Sequence, residues 1–151
     1  MFYLAYGSNL NLSDMKIRCP KARAVGNAVL NDYRLVFCGQ DQASWLTVRP
    51  SKGEYVPVGI WEIEATDEAA MDIYEGYPEL YDKTMMPISF RNETLDALIY
   101  IMNEGYEEAQ PAPSYVDACM QGYRDFSMDN HILLKAVEYQ VVFLLNEAIR
   151  I

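Results

Sequence analysis

Apolar and polar positions follow strand-like patterns through most of the first two thirds of this chain, then settle into helical ones. Residues 2–6 are a run of aromatic and aliphatic side chains, which predicts a short strand. Gly7, Ser8 and Asn9 break it, because all three residue types favour turns. A short helix over 12–18 follows, with Asn11 or Ser13 as N-cap, and Cys19-Pro20 ends it, since a residue before proline avoids the helical region. Residues 23–38 read as one or two strands around the turn pair Asn31-Asp32. Residues 45–49 and 55–64 are rich in β-branched and aromatic side chains, and Pro57 marks an edge position or a bulge. Thr66 would cap a helix over 67–75, with Asp67 and Glu68 in its first turn and Gly76 as its terminator. Two further strands are expected over 81–90 and 94–102. Pro111 and Pro113 bracket a loop, and helices over 113–124 and 129–148 complete the chain.

Strands with one internal helix, followed by two helices, imply an α+β fold. We expect a small mixed or antiparallel barrel-like sheet with flanking helices. Strands and helices do not alternate regularly, which argues against a doubly wound parallel sheet. The last helix is apolar over a wide arc formed by Ile132, Leu133, Ala136, Val137, Val141, Leu144, Leu145 and Ala148. Such an arc packs on a sheet along one side, and its width leaves room for a homodimer contact.

Composition narrows this picture. The 151 residues fit a single domain, 1–151, with no linker, repeat or low-complexity tract. A net charge of −10 and the lack of any Lys/Arg run argue against nucleic acid or an anionic membrane surface as partner. No apolar stretch is long enough to span a bilayer, and the N-terminal run is too short for a signal peptide. Cys19, Cys38 and Cys119 are odd in number and widely spaced, which predicts free thiols and a cytoplasmic protein. His131 is the single histidine, so a zinc site is not expected and neither is a cofactor.

Two segments carry candidate chemistry. Tyr6-Gly7-Ser8-Asn9-Leu10 lies between a strand and a helix. Its glycine allows close backbone approach to a ligand, and successive N–H groups in such a turn form an anion-binding nest, or else simply a connecting turn. Glu75 falls at the C-terminal end of its helix, where the dipole is unfavourable for an acid, with Asp72 one turn back and Tyr74, Tyr77 and Tyr81 close in sequence. All three influences raise a carboxyl pKa, as an acid/base group requires, although a solvated helix-end glutamate is the plainer alternative.

Together the two segments resemble the signatures of γ-glutamylcyclotransferase-like proteins: Tyr6-Gly7-Ser8-Asn9-Leu10, then Glu75-Gly76-Tyr77-Pro78 followed by Tyr81. Met15, Arg18-Cys19-Pro20, Asn31 to Leu35, Val58 to Ile63, Pro113-Ser114-Tyr115 and Gly122-Tyr123 are similar to further family patterns in the same order. The resemblance covers residues 3 to about 126. It implies that Tyr6, Gly7, Ser8, Asn9 and Leu10 hold a γ-glutamyl group, with backbone N–H groups on its α-carboxylate. It makes Glu75 the catalytic acid/base, with Tyr115 and, less directly, Tyr100 as substrate-binding residues. The implied reaction is attack of the substrate's α-amine on its own γ-carbonyl, giving 5-oxoproline and a released amino acid or amine, without metal or cofactor. A γ-glutamylamine cyclotransferase and a non-catalytic binder of γ-glutamyl ligands are the alternatives. Trp45 departs from the pattern, standing where a smaller residue is expected, and the chain after about 128 has no family counterpart.

Overall fold

The computed structural model describes residues 1–149, without the side chains of Phe143 and Leu144. The expectation for Leu144 therefore lies outside the described residues. Strand β1 (Phe2–Ala5) leads through a single 3₁₀ turn, Ser8–Leu10, into α1 (Leu12–Arg18). Two long strands follow, β2 (Arg23–Gln40) and β3 (Ala43–Glu62), then α2 (Ala65–Glu75). The hairpin β4 (Tyr81–Phe90) and β5 (Glu93–Met102), the short β6 (Glu107–Glu108), α3 (Pro113–Asp125) and α4 (His131–Ile149) complete the order.

The six strands form one mixed sheet in the order β4-β5-β1-β3-β2-β6. Among the described residues only the β1–β5 pairing is parallel. The sheet curls into a half-barrel flanked by helices, as expected from the element order. Its curl brings β4 back toward β2: a side chain at Gly26 would meet the Phe90 ring at 2.9 Å.

Strand β1 lies between β5 and β3, and Tyr3, Leu4 and Ala5 are all buried, so it reads as an unbroken apolar run without alternation. The segments expected as separate strands over 45–49 and 55–64 are one continuous β3. It pairs with β2 from Gln40–Ala43 through Arg23–Glu62, with irregularities at Ala24/Gly26 and Asn31/Tyr33. Asp32 takes a left-handed φ of 65° at the second of these. Pro57 pairs with Val29 of β2 beyond the last β1 pair, Ala5–Gly59, so its missing N–H interrupts no β1 ladder.

Two helix caps differ in how far the sequence revealed them. Asn11 caps α1 as expected, its side chain accepting from the Asp14 N–H at 3.0 Å. For α2 the cap is Glu64 rather than Thr66: Glu64 and Asp67 form a reciprocal capping box, and the helix starts at Ala65, two residues earlier than a Thr66 cap implies. Gly76 ends α2 in the left-handed conformation at φ 65°, as expected of a C-terminal glycine.

α4 contributes Leu133 and Ala136 to the core, while Leu134, Val141, Val142 and Leu145 are exposed. Its apolar arc is thus only partly used against the sheet. No helix of the described residues is long and apolar enough to cross a membrane.

Candidate functional site

The end of β1 delivers the chain into the 3₁₀ turn, and the fold fixes that turn from several directions. Trp61 Nε1 donates to the Asn9 carbonyl at 2.9 Å, Tyr123 Oη to the Tyr6 carbonyl at 3.3 Å, and Asn11 Nδ2 to the Ala118 carbonyl at 3.2 Å. Leu10 is the turn's anchor. It is fully buried, and α3 and β3 can approach it only because they present glycines there. A side chain at Gly122 would meet Leu10 Cβ at 2.6 Å, and one at Gly59 would meet Leu10 Cδ2 at 2.5 Å. The first hydrogen bond inside the turn runs from Leu10 N–H to Gly7 O, which leaves the preceding N–H groups without a partner inside it.

Across from the turn, α2 ends at Glu75. A cavity of about 310 Å³ opens between them. Tyr6, Gly7, Ser8 and Asn9 form one wall, and Glu75, Tyr74 and Ile73 another. Tyr3, Tyr81, Tyr100 and Tyr115 line the interior, with Trp45, Leu46 and Leu80 also present. Of the residues singled out from sequence, Tyr6, Gly7, Ser8, Asn9, Glu75, Tyr100 and Tyr115 therefore meet at one cavity. Leu10 does not line it and supports the turn from the core.

The Glu75 carboxyl is raised to about 7, chiefly because the surrounding protein strips it of water, with the Arg18 guanidinium acting in the opposite direction. The expected contribution from Asp72 is not the cause. Asp72 is held by Lys83 Nζ and receives the Tyr100 hydroxyl at 2.5 Å, so its charge is compensated locally. The Tyr100 hydroxyl is likewise turned to Asp72, while its carbonyl accepts from Tyr6 Oη.

The turn's side chains are also committed to the protein. Asn9 Nδ2 donates to Tyr3 Oη at 2.9 Å and to Glu75 Oε1 at 3.3 Å, and Ser8 Oγ lies 2.8 Å from Tyr74 Oη. The structure gives both side chains to the cavity wall and leaves the backbone as the turn's free face.

Tyr115 Oη accepts from the Leu46 N–H at 3.1 Å, and Tyr81 Oη donates to the Leu46 carbonyl at 2.7 Å, so two tyrosines pin the Trp45-Leu46 segment of β3. Tyr3, Tyr6, Tyr81, Tyr100 and Tyr115 all have hydroxyls raised above the ordinary tyrosine value, burial being the largest cause in each and the Glu75 carboxylate a further one. They stay neutral at physiological pH. Chemically, the cavity offers one proton-exchanging carboxyl near neutrality, a neutral phenolic lining, and a backbone turn suited to an anion.

Residues 3–122 match the family described as gamma-glutamyl cyclotransferase, AIG2-like. The chain belongs to this family. Over 147 residues it is 28% identical to the gamma-glutamylcyclotransferase of Mus musculus and 26% identical to that of Homo sapiens, covering 90% of this chain and 78% of each relative. A solved gamma-glutamyl cyclotransferase superposes with a TM-score of 0.78 at 24% identity, over 93% of this chain and 83% of that one, and shares the fold. A solved human protein described as uncharacterized gives 0.76 at 26% identity, over 92% and 83%. The family match thus spans both the turn and the Glu75 helix end.

Tyr3 and Arg18 are the functional-site neighbours that sequence reasoning missed in this family member. Tyr3 was hidden in an apolar strand run. Arg18 was read only as part of a helix-end pattern.

Proposed function

We propose that the protein is a γ-glutamylcyclotransferase, converting a γ-glutamyl compound into 5-oxoproline and a free amino acid or amine. One observation carries the reading: a single desolvated carboxyl, Glu75, raised to about 7 and facing a backbone turn across a cavity of substrate size. Family membership supports the reaction class.

In this reading the turn at Gly7–Asn9 receives the α-carboxylate of the γ-glutamyl group on its backbone N–H groups. The γ-carbonyl then lies toward Glu75. The α-amine attacks the γ-carbonyl carbon, a C–N bond forms to close the five-membered ring, and the bond from that carbon to the leaving nitrogen breaks. Glu75 removes a proton from the attacking nitrogen and returns one to the leaving nitrogen, so the enzyme ends as it began. A carboxyl near 7 suits both transfers, because it is neither too weak a base nor too weak an acid at neutral pH. Both reacting groups belong to one molecule, so holding the folded conformer replaces an encounter, an advantage of order ~10⁵–10⁸ M in effective molarity. The phenolic wall excludes water without competing for the proton.

A binder without turnover would gain nothing from a carboxyl lifted to about 7. The test is release of 5-oxoproline from a panel of γ-glutamyl amino acids, γ-glutamyl peptides and γ-glutamyl amines. Release from at least one class, abolished in Glu75→Gln, is expected, and no release from any would overturn the reading. The same panel identifies the leaving group.

A further inference from the structure

Arg18 is the last residue of α1 and lines no wall of the cavity, yet its contacts converge on groups that do. Its Nε donates to Asn9 Oδ1 at 2.9 Å. Its guanidinium carbon stacks 3.7 Å from the centre of the Tyr74 ring. Its Nη2 is buried with no hydrogen-bond partner among the described residues. Leaving a charged N–H buried and unpaired is unfavourable.

A side-chain amide can sit in two orientations that differ by exchanging its oxygen and nitrogen. The Arg18 Nε–H, a donor without acceptor capacity, settles the choice at Asn9. Oδ1 must face Arg18, so Nδ2 faces Glu75 Oε1 and Tyr3 Oη. Reversed, Asn9 would set a carbonyl oxygen against the carboxylate. The second contact works on the other side of the same carboxyl. Tyr74 precedes Glu75 on α2, and the stacked guanidinium holds its ring where its hydroxyl meets Ser8 Oγ at 2.8 Å. One planar cation thus ties the end of α1 to both halves of the cavity.

We propose that Arg18 is a positioning residue for the cyclisation: it fixes the Asn9 amide and the Tyr74 ring, and through them the direction in which the Glu75 carboxyl faces its substrate. This rests on the reading of Glu75 as acid/base. The role needs the shape of arginine as well as its charge. A lysine supplies a point charge without the fork that meets Oδ1 or the plane that stacks on Tyr74.

Two groups of readouts separate shape from charge, using the full chain as wild type, Arg18→Met, Arg18→Gln and Arg18→Lys. The first is kcat and KM for 5-oxoproline release from the best substrate of the panel. The second needs no turnover: NMR titration of the Glu75 carboxyl, and the NMR signals of the Asn9 side-chain amide. The groups coupled electrostatically to Glu75 are Arg18 and the hydroxyls of Tyr3, Tyr6, Tyr81, Tyr100 and Tyr115, all five raised above their ordinary range, while Asp72 and Tyr74 beside it on α2 are the same in every variant. A shift of the carboxyl titration between pH 5 and 9 in these variants therefore reports Arg18.

Arg18→Met and Arg18→Gln are expected to lower kcat by about tenfold or more, as small misplacements of reacting groups do, with KM within about threefold. Both should move the Glu75 titration upward and alter the Asn9 amide signals. Arg18→Lys should return the titration toward wild type while kcat stays low. Full recovery of kcat in Arg18→Lys would overturn the positioning role in favour of charge alone. Wild-type kcat and unaltered Asn9 signals in any folded uncharged variant would overturn it altogether. If the wild-type protein releases no 5-oxoproline, the cyclotransferase reading fails by itself, and the Asn9 signals still decide whether Arg18 orients the amide.

Discussion

The ammonium of Lys83 lies 2.8 Å from Asp72 Oδ2 and 2.9 Å from Asp72 Oδ1, one helical turn before Glu75 on α2. It also reaches Glu68 Oε2 at 2.8 Å and sits 4.4 Å from the centre of the Tyr77 ring. The cation on β4 therefore compensates the acidic face of α2, and the proton affinity of Glu75 is left to its own desolvation and the opposing Arg18 charge. Lys83→Met removes this compensation. Residues three apart on a helix are neighbours at about 6 Å, and two charges at that separation interact by roughly 0.7 kcal/mol in water-like surroundings, or about half a pH unit. We expect the Glu75 titration in Lys83→Met to move upward by about that much, with a stability loss near 1 kcal/mol for the part-exposed pair. An NMR titration alongside urea denaturation measures both, and an unmoved carboxyl would show that Asp72 is screened from Glu75 without Lys83.

Glu75→Gln is expected to reduce 5-oxoproline release by about 10²-fold or more, the usual scale for a general acid/base, and to make the protein more stable. The sign follows from the raised carboxyl. Its ordinary value is 4.5 and its value in the fold is about 7. The folded state holds this proton more tightly than the unfolded state, so ionising Glu75 weakens the fold as pH rises from 4.5 toward 7. The cost is complete above 7 and amounts to at most about 3 kcal/mol, reduced by whatever solvent enters the cavity. The amide has no such charge. Its stability advantage should be present at pH 8 and should vanish near pH 4, as thermal unfolding at the two pH values would reveal. An advantage that is equal at both would mean that packing, rather than ionisation, separates the two side chains.

At Gly7 the backbone has φ −130° and ψ −131°, neither left-handed nor regular extended chain, and the space around its Cα is tight. A side chain there would come within 3.1 Å of Tyr115 Oη and 3.5 Å of Leu46 Cδ1. Gly7→Val should therefore disturb the Tyr115–Leu46 contact and fill the approach to the turn's N–H groups. We expect at least about tenfold weaker binding of 5-oxoproline by calorimetry, with stability lowered by no more than about 1–3 kcal/mol of crowding. Unchanged affinity would remove the turn from the binding site.

Much of this site was legible in the sequence, because its parts use local signals. Gly76 marks the end of α2, Asn11 the start of α1, and the Gly7-Ser8-Asn9 break the turn between β1 and α1. What stayed hidden depends on contacts made at long range. Tyr3 belongs to a uniformly apolar strand, and only the neighbouring strands and the turn decide that its hydroxyl faces Asn9. Glu64 outcompeted Thr66 as cap because Asp67 could complete a reciprocal pair, a contest that propensity alone does not resolve. The segments at 45–49 and 55–64 looked separate because Pro50, Ser51 and Gly53 lie between them, yet β2 supplies a partner long enough to carry β3 through. Leu10 looked like part of the binding motif because it adjoins it, whereas its place is under Gly59 and Gly122.

That placement makes Gly122→Ala a test of the scaffold rather than of the chemistry. A methyl group there would lie 2.6 Å from Leu10 Cβ and within 2.8 Å of the Leu10 and Asn11 backbone, with no flexible side-chain end able to yield. Overpacking of this kind costs about 1–3 kcal/mol or more. Because the strained atoms belong to the turn itself, ligand affinity should fall together with stability, in contrast to Gly7→Val, where binding should suffer most. Denaturant melts and calorimetry on the two variants provide the comparison. A Gly122→Ala protein as stable as wild type would show that α3 does not seat the turn as described.

The pH dependence of turnover joins these points. With Glu75 at about 7, the fraction of enzyme carrying an ionised carboxylate falls as pH drops through that value. The substrate must at the same time present its α-amine with a single proton to give up. Free α-amino groups titrate near ~8, so the reactive pairing, carboxylate with ammonium, is populated between the two values. kcat/KM should form a bell, with its acidic limb near 7 belonging to Glu75. The basic limb belongs to the substrate. The five cavity tyrosines coupled electrostatically to Glu75 are all raised above their ordinary range and do not ionise there. Two substrates with different α-amine pKa values should move the basic limb and leave the acidic limb in place, while a residually active Glu75→Asp variant should move the acidic limb alone. An acidic limb that follows the substrate, or that stays fixed in Glu75→Asp when its carboxyl titrates elsewhere by NMR, would show that a group other than Glu75 sets the proton economy of the reaction.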